Sequence, residues 1–105
     1  MLRVVGAAVH GDDTITVPTV AVAEWWRGRP SNRMVQLLAS VDLEPLDAHL
    51  ARLAGEAMAA VRGATVIDAI VMASAAQRGG AVFTSDVEDF ARLARYFPNV
   101  RIFHV

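Results

Sequence analysis

The stretch VIDAIVMASAAQRGGAVFTSDVEDF, residues 66–90, predicts a helix, a buried strand and the start of a second helix in one continuous run. Its first half consists of good helix formers, and Gly79 with Gly80 stops the helix before the strand at residues 81–84. That strand, AVFT, is short and apolar, as expected of a strand that is covered on both faces. Helices that alternate with buried strands are typical of α/β folds with parallel strands and right-handed crossovers.

The remainder of the chain continues this alternation. Further strands are predicted in TITVP (14–18), VDLEPLD (41–47) and VRIFHV (100–105), and helices are predicted behind the capping residues Thr19, Ser31, Asp47 and Thr65. Residues 2–9 resemble the tail of a helix that the turn HGDD closes. With 105 residues the chain has the size of one domain, which we assign to residues 1–105.

Composition limits the settings in which this domain can act. Hydrophobic residues make up 54% of the chain, yet no apolar run reaches the ~18 residues of a membrane span. The absence of cysteine excludes disulfides and thiolate metal sites, and the cytoplasm is the expected location. The net charge of -1 argues against bulk electrostatic capture of nucleic acid. All 10 basic residues are nevertheless arginine, which suits bidentate phosphate contacts.

Four carboxylates lie where predicted strands end and helices begin. Glu24 is in the helix that follows TITVP, Asp68 is in the first turn of its helix, and Asp86 and Asp89 follow AVFT. The carboxyl ends of parallel strands share one edge of a sheet, so these side chains should converge there. Carboxylate oxygens without sulfur ligands suit Mg²⁺ or Mn²⁺ better than Zn²⁺, and such ions orient water for attack on a phosphodiester. Because clustered carboxylates repel one another, at least one of them should have a raised pKa.

Each acid also has a purely structural explanation. Asp68 and Asp86 are in the first turns of their helices, where a carboxylate interacts favourably with the helix dipole, and Ser85 is the predicted cap before Asp86. Glu24 could form an i,i+3 pair with Arg27 on a solvated face. Chemistry and helix stabilisation therefore remain alternatives for every acid taken singly.

The neighbouring tryptophans and the last histidine are ambiguous in the same way. Trp25 and Trp26 could stack on bases, but adjacent helix positions point in different directions, which favours one core residue and one interface residue. His104 shows no ligand spacing and is assigned no role.

Three segments resemble the PIN-domain family. VPTVAVAEWWRG (17–28) is similar to the strand and acid-bearing helix of PIN domains, and residues 66–90 are similar to their third and fourth acidic motifs. The closing segment PNVRIFHV (98–105) also fits, so that the resemblance covers the chain from about residue 14. It implies a three-layer α/β/α fold with a mainly parallel sheet.

The short form without insertions is similar to the VapC-like toxins of bacterial toxin–antitoxin pairs. The resemblance implies a Mg²⁺-dependent ribonuclease that cleaves RNA and is held inactive by a small antitoxin protein, and we expect a homo-oligomer. Residue by residue, Glu24, Asp68 and Asp86 match the second, third and fourth acids of the family, which implies that they are catalytic residues and metal ligands. Asp89 matches a supplementary acid and is implied as a further metal ligand.

One part of the family pattern has no counterpart in this sequence. PIN domains open with a strand that carries the first acid, whereas Asp12 and Asp13 lie in a predicted turn. We therefore expect the first, central strand to be missing. The strands at 14–18 and 81–84 should then pair directly or be completed by a second copy, through strand exchange or edge pairing.

Two other functions compete with the ribonuclease. One is a catalytically impaired PIN remnant that oligomerises or binds an antitoxin. The other is a phospho-accepting receiver domain, which would need a lysine that this chain does not contain.

Overall fold

A computed structural model describes residues 8–11, 14–28, 30–84 and 86–104 of the chain. In chain order the elements are β1 (Ala8–Gly11), β2 (Thr14–Pro18), α1 (Thr19–Trp26), α2 (Asn32–Ala39), β3 (Asp42–Glu44), α3 (Ala48–Ala60), α4 (Val66–Arg78), β4 (Ala81–Thr84), α5 (Val87–Ala94) and β5 (Arg101–His104). From β2 onward, one or two helices separate each strand from the next, which confirms the α/β class. No helix within the described ranges is long and apolar enough to cross a membrane.

The strands of the described part form one mixed sheet in the order β3-β2-β1-β4-β5. β2 pairs with β3, and β4 pairs with β5, in parallel. β1 lies between β2 and β4 and is antiparallel to both, so that Val9 is opposite Thr16 on one side and Val82 on the other. The sheet therefore consists of two parallel halves joined by one antiparallel strand.

Two expectations about the start of the chain are wrong. Residues 8 and 9 belong to β1 and not to the tail of a helix, and residues 2–7 lie outside the described residues. β2 and β4 do not pair directly with each other. No strand from a second copy is needed between them either, because β1 of the same chain lies there. Residues 12 and 13, also outside the described ranges, separate β1 from β2, and so short a connection allows an antiparallel hairpin but not a parallel crossover.

Side-chain caps begin three helices where the sequence predicted them. In each case the backbone N–H three residues later donates to the cap: Met34 to Ser31 at 3.1 Å, Leu50 to Asp47 at 2.8 Å and Asp68 to Thr65 at 3.2 Å. These bonds satisfy donors that have no partner within the helix, which explains why α2, α3 and α4 begin where they do.

Two other helices begin differently from the prediction. Thr19 is the first residue of α1 and not its cap, because β2 ends at Pro18 and the chain turns directly into the helix without a side-chain cap. The N-cap position of α5 is Asp86, not Ser85, and Ser85 lies outside the described residues.

The main core lies where α3, α4 and α5 pack together and against β4. The middle of α4, residues 69–75, is buried throughout, and Phe90 of α5 and Leu50 of α3 are almost completely excluded from solvent. Burial on this scale explains why the apolar run that opens at residue 66 forms the central helix of the domain.

A second, smaller core surrounds Val17 of β2 and Ala21 of α1. From β2 the chain moves outward to β3 at one edge of the sheet, and from β4 it moves outward to β5 at the other edge. Right-handed crossovers in these two opposite directions place their helices on opposite faces of the sheet, which gives three layers. Trp25 packs against this smaller core whereas Trp26 is 43% exposed, which confirms that the two tryptophans have different environments.

A hydrogen-bonded ion pair fastens the short strand β3 to α4. The hydroxyl of the fully buried Ser74 donates to one carboxylate oxygen of Glu44, and the Arg78 guanidinium lies 2.6 Å from the other. Arg78 also donates to the Ser74 carbonyl at 3.2 Å. Because β3 has only three residues and is at the edge of the sheet, these bonds supply an anchor that its strand pairing alone would not.

Candidate functional site

The carboxyl ends of β2 and β4 bring candidate acids to one edge of the sheet. β2 continues without a loop into α1, which carries Glu24, and β4 ends at the fully buried Thr84. The Asp86 backbone N–H donates to the Thr84 hydroxyl at 2.9 Å, so that a short turn fixes the direction in which the chain leaves the strand. Asp86 occupies the N-cap position of α5, and its side chain makes no capping hydrogen bond there.

Asp68 lies partly buried in the first turn of α4. Burial raises the pKa of its carboxyl above the usual range, and the Asp89 and Asp86 carboxylates raise it further. The side-chain hydrogen bond with Thr65 and the positive charge of Arg92 lower the same pKa. The expectation of a raised pKa among the acids is confirmed, although burial and not repulsion is its first cause.

Two clefts divide the four acids. Glu24 and Asp68 line the first, of about 430 Å³, together with Ala21, Trp25, Thr65, Val66 and Ile67. Asp86, Glu88, Asp89, Val87 and His104 line the second, of about 400 Å³. Asp68 connects the two clefts electrostatically, because its pKa responds to the carboxylates of the second one.

A divalent cation fits this region by donor chemistry. Among the residues with described positions, no three carboxylate or imidazole side chains are close enough together to hold a metal ion. Mg²⁺ does not require such a group, because it keeps several water ligands and is usually bound by one or two carboxylates together with substrate phosphates. A cation would also offset the unfavourable position of a partly buried carboxylate near two others. The assignment of Glu24, Asp68, Asp86 and Asp89 as ligands stays a prediction.

The strand at the centre of this edge contributes no carboxylate. β1 has the sequence AVHG and runs antiparallel, so its first residue, Ala8, lies opposite Phe83 near the carboxyl end of β4. The acid that the PIN resemblance implies for a central strand has no counterpart in β1.

Sequence reasoning missed two residues beside the acids. His104 pairs with Thr84 in the register between β5 and β4, which brings it to the cleft of Asp86. Arg92 forms an ion pair with Asp89 at 2.9 Å. The i,i+3 spacing of Asp89 and Arg92 was a signal that could have been found, whereas the strand register that places His104 has no local sequence signal.

The fold and the site define an α/β domain with an acidic cleft region at the carboxyl edge of its sheet. The sequence model of the PIN domain matches residues 3–96, and the chain belongs to the PIN domain family. Membership indicates a nuclease-type function, and PIN domains generally use divalent metals. No curated protein and no solved structure matches the chain significantly.

Proposed function

We propose that this protein is a Mg²⁺-dependent endoribonuclease toxin of a toxin–antitoxin pair. The observation that carries the proposal is Asp68, a partly buried carboxylate with a raised pKa that shares a cleft with Glu24 and lies within electrostatic reach of Asp86 and Asp89. In a member of the PIN domain family, such an arrangement suits the binding of a divalent cation and of a phosphodiester.

The acids have distinct parts in this proposal. Asp68 and Asp86 are the principal metal ligands, because Asp68 lies in the first turn of α4 and Asp86 at the N-cap of α5, and a threonine hydroxyl accepts the backbone N–H of each. Glu24 lines the first cleft together with Asp68 and positions the attacking water, and Asp89 is a supplementary ligand in the second cleft. The bound ion would supply charge neutralisation at the phosphate and a lower pKa for water.

The proposal includes a protein partner and a second copy of the chain. α2 buries none of its residues completely. Large apolar side chains on α2, in β3 and just after β3 are exposed, among them Val35 at 47%, Leu43 at 47% and Leu46 at 42%. Exposed apolar surface of this kind is typical of protein interfaces. It supports binding of a small antitoxin and homo-oligomerisation, and cytoplasmic action on RNA is part of the same proposal.

A catalytically impaired PIN domain is the second candidate. It is favoured by one specific observation, which is that β1 carries no carboxylate at the centre of the acidic edge. In this case the chain would bind an antitoxin or another copy of itself without cutting RNA.

Cleavage of a mixed-sequence single-stranded RNA, with Mg²⁺ and with EDTA, tests the proposal. We expect cleavage with Mg²⁺ only, and a loss of at least about tenfold in Asp68→Asn and Asp86→Asn, the effect typical even of residues that merely support a metal ligand. Glu56→Gln is the matched control, because Glu56 is an exposed acid on α3 away from both clefts.

Unchanged cleavage in both site variants would contradict the proposed site. Absence of cleavage by a folded wild-type protein that is free of antitoxin, but that still binds an antitoxin or a second copy when one is added, would establish the impaired PIN domain instead. The thermal midpoint of each variant shows whether it is folded.

A further inference from the structure

A third cleft, which Arg92 lines, is basic. It has a volume of about 380 Å³ and is lined by Ala60, Val61, Arg62, Arg92, Arg95 and Tyr96, from the end of α3 and from α5 with the turn after it. Three guanidinium groups in one cleft are notable in a chain whose net charge is -1. Charge of this density attracts an anion.

The positive charge of this basic cleft is only partly balanced. Arg92 forms its ion pair with Asp89 at 2.9 Å. Arg62 and Arg95 are exposed and form no ion pair within the described part of the chain. Two guanidiniums therefore remain available to a ligand.

The backbone is adapted to the position of Arg92. Gly63 follows α3 with a φ of +83°, and a Cβ atom at this residue would lie 3.1 Å from Arg92 Nη1. A larger residue would be strained by the positive φ and would also displace the guanidinium. The turn between α3 and α4 thus leaves room for Arg92 between the basic cleft and Asp89.

Arg92 also connects the basic cleft to the acidic region, because it lines the basic cleft and forms an ion pair with Asp89 of the second acidic cleft at 2.9 Å. Tyr96, 38% exposed, lies at the same cleft, and its ring is held edge-to-face against the buried Phe97 with centroids 5.0 Å apart.

We propose that Arg62, Arg92 and Arg95 bind the phosphodiester backbone of a single-stranded polynucleotide beside the acidic clefts, with the Tyr96 ring stacked on a base. This inference rests on the proposed ribonuclease function and names the surface that holds the substrate next to the cut. Guanidinium groups bind phosphate oxygens in pairs, and an aromatic ring beside a basic groove is the usual arrangement for single strands. An acidic peptide would use the guanidiniums but would leave the tyrosine without a stacking partner.

Fluorescence anisotropy with a labelled single-stranded RNA of about 10 nucleotides, in EDTA, tests the inference without any cleavage. We expect Arg62→Gln and Arg95→Gln each to weaken binding about tenfold, as the loss of a charge-assisted bond does. Each substitution should also reduce the slope of log affinity against log salt by about 0.7. Arg33→Gln is the matched control, because Arg33 is an exposed arginine on α2 that does not line the basic cleft.

Tyr96 provides a second, independent measurement. Tyr96→Phe keeps the ring and should bind RNA like the wild type, whereas Tyr96→Ala should bind about tenfold more weakly. A thermal scan of each variant separates loss of binding from loss of folding.

A DNA strand of the same sequence distinguishes the possible polymers. If the affinities for RNA and for DNA depend equally on Arg62 and Arg95, the cleft binds the phosphodiester backbone that both polymers share. If only the affinity for RNA depends on these arginines, the cleft binds the RNA backbone. The inference is overturned if neither polymer binds the wild type. It is equally overturned if the Arg62→Gln/Arg95→Gln variant keeps wild-type affinity and salt slope, or if only a polyglutamate peptide depends on these arginines.

The two proposals fail separately. If the protein cleaves RNA with Mg²⁺ and the arginine substitutions leave the KM unchanged, RNA binding by the basic cleft is refuted and the ribonuclease function is kept. Arginine-dependent binding by a protein that never cleaves RNA would keep the basic cleft and refute the ribonuclease.

Discussion

Replacement of Thr65 by alanine should change both the stability of the fold and the chemistry of the site. The Thr65 hydroxyl accepts the Asp68 backbone N–H at 3.2 Å and begins α4, so its removal should cost about 1 kcal/mol. For a domain of this size, that loss lowers the thermal midpoint by roughly 4–8 °C. The same side chain lowers the pKa of Asp68, and in Thr65→Ala this pKa should therefore rise further.

The two effects combine in a pH dependence with a definite sign. Because the folded-state pKa of Asp68 is raised, its contribution to stability is fully present below the unfolded pKa of about 3.9 and is lost as pH rises through the folded pKa. Thr65→Ala raises the folded pKa again, so the free energy of unfolding that it loses should be larger at pH 7 than at pH 3.

Urea unfolding at pH 3 and pH 7, together with an NMR titration of the Asp68 carboxyl carbon, measures both quantities. Thr65→Ser is the control, because serine keeps the hydroxyl and the cap. If Thr65→Ala matched the wild type in stability and in the pKa of Asp68, the hydroxyl would have neither role and the reasoning would fail.

Three further predictions concern single residues. Asp68→Asn should lose the part of the pH dependence of stability that comes from the raised pKa of Asp68. Its urea midpoint should therefore change less between pH 4 and pH 7 than that of the wild type. Parallel plots of urea midpoint against pH for the two proteins would contradict this. Gly79→Ala should lower the free energy of unfolding in urea by about 1 kcal/mol, and Gly79→Asn should lower it less, because φ at this residue is +63° and a Cβ atom would meet no atom within 4 Å. If Gly79→Ala left the free energy of unfolding unchanged, this helix end could adopt another conformation. Phe90→Ala should lower the free energy of unfolding by about 3–5 kcal/mol, since Phe90 is fully buried, and a loss below 1 kcal/mol would mean that the core closes around the gap.

The helix starts that the sequence predicted correctly depend on local chemistry. Ser31, Asp47 and Thr65 each accept a hydrogen bond from an N–H three residues away, and both partners are visible in one short stretch. Thr19 failed as a cap because Pro18 connects β2 to α1 with no residue between them, a geometry that the capping pattern alone does not reveal.

The errors about the sheet concern pairing between distant parts of the chain. β1 is only four residues long, and its identity depends on two neighbours, one of which is β4 near the other end of the sequence. No local periodicity in AVHG distinguishes such a strand from the end of a helix. The position of His104 beside Asp86 has the same origin, because it follows from the register of β5 on β4.

The assignment of the acids as metal donors stays a prediction, whereas the environment of these acids had no signal in the sequence. Motif spacing identified Asp68 and Asp86, but the burial that raises the pKa of Asp68 comes from packing of α4 against other elements. The basic cleft was equally hidden, since Arg62 and Arg95 meet only because α3 and α5 end at the same place.

The antiparallel position of β1 has a consequence for the order of events during synthesis. β1 and β2 are neighbours in the chain and can form a hairpin as soon as both have left the ribosome, on a timescale of microseconds. The other side of β1 must wait for β4, because Ala8 pairs with Phe83. Until then Glu24 is attached to one half of the future sheet while Asp86 has yet to be translated, so the acidic edge is assembled only after β4 has been synthesised.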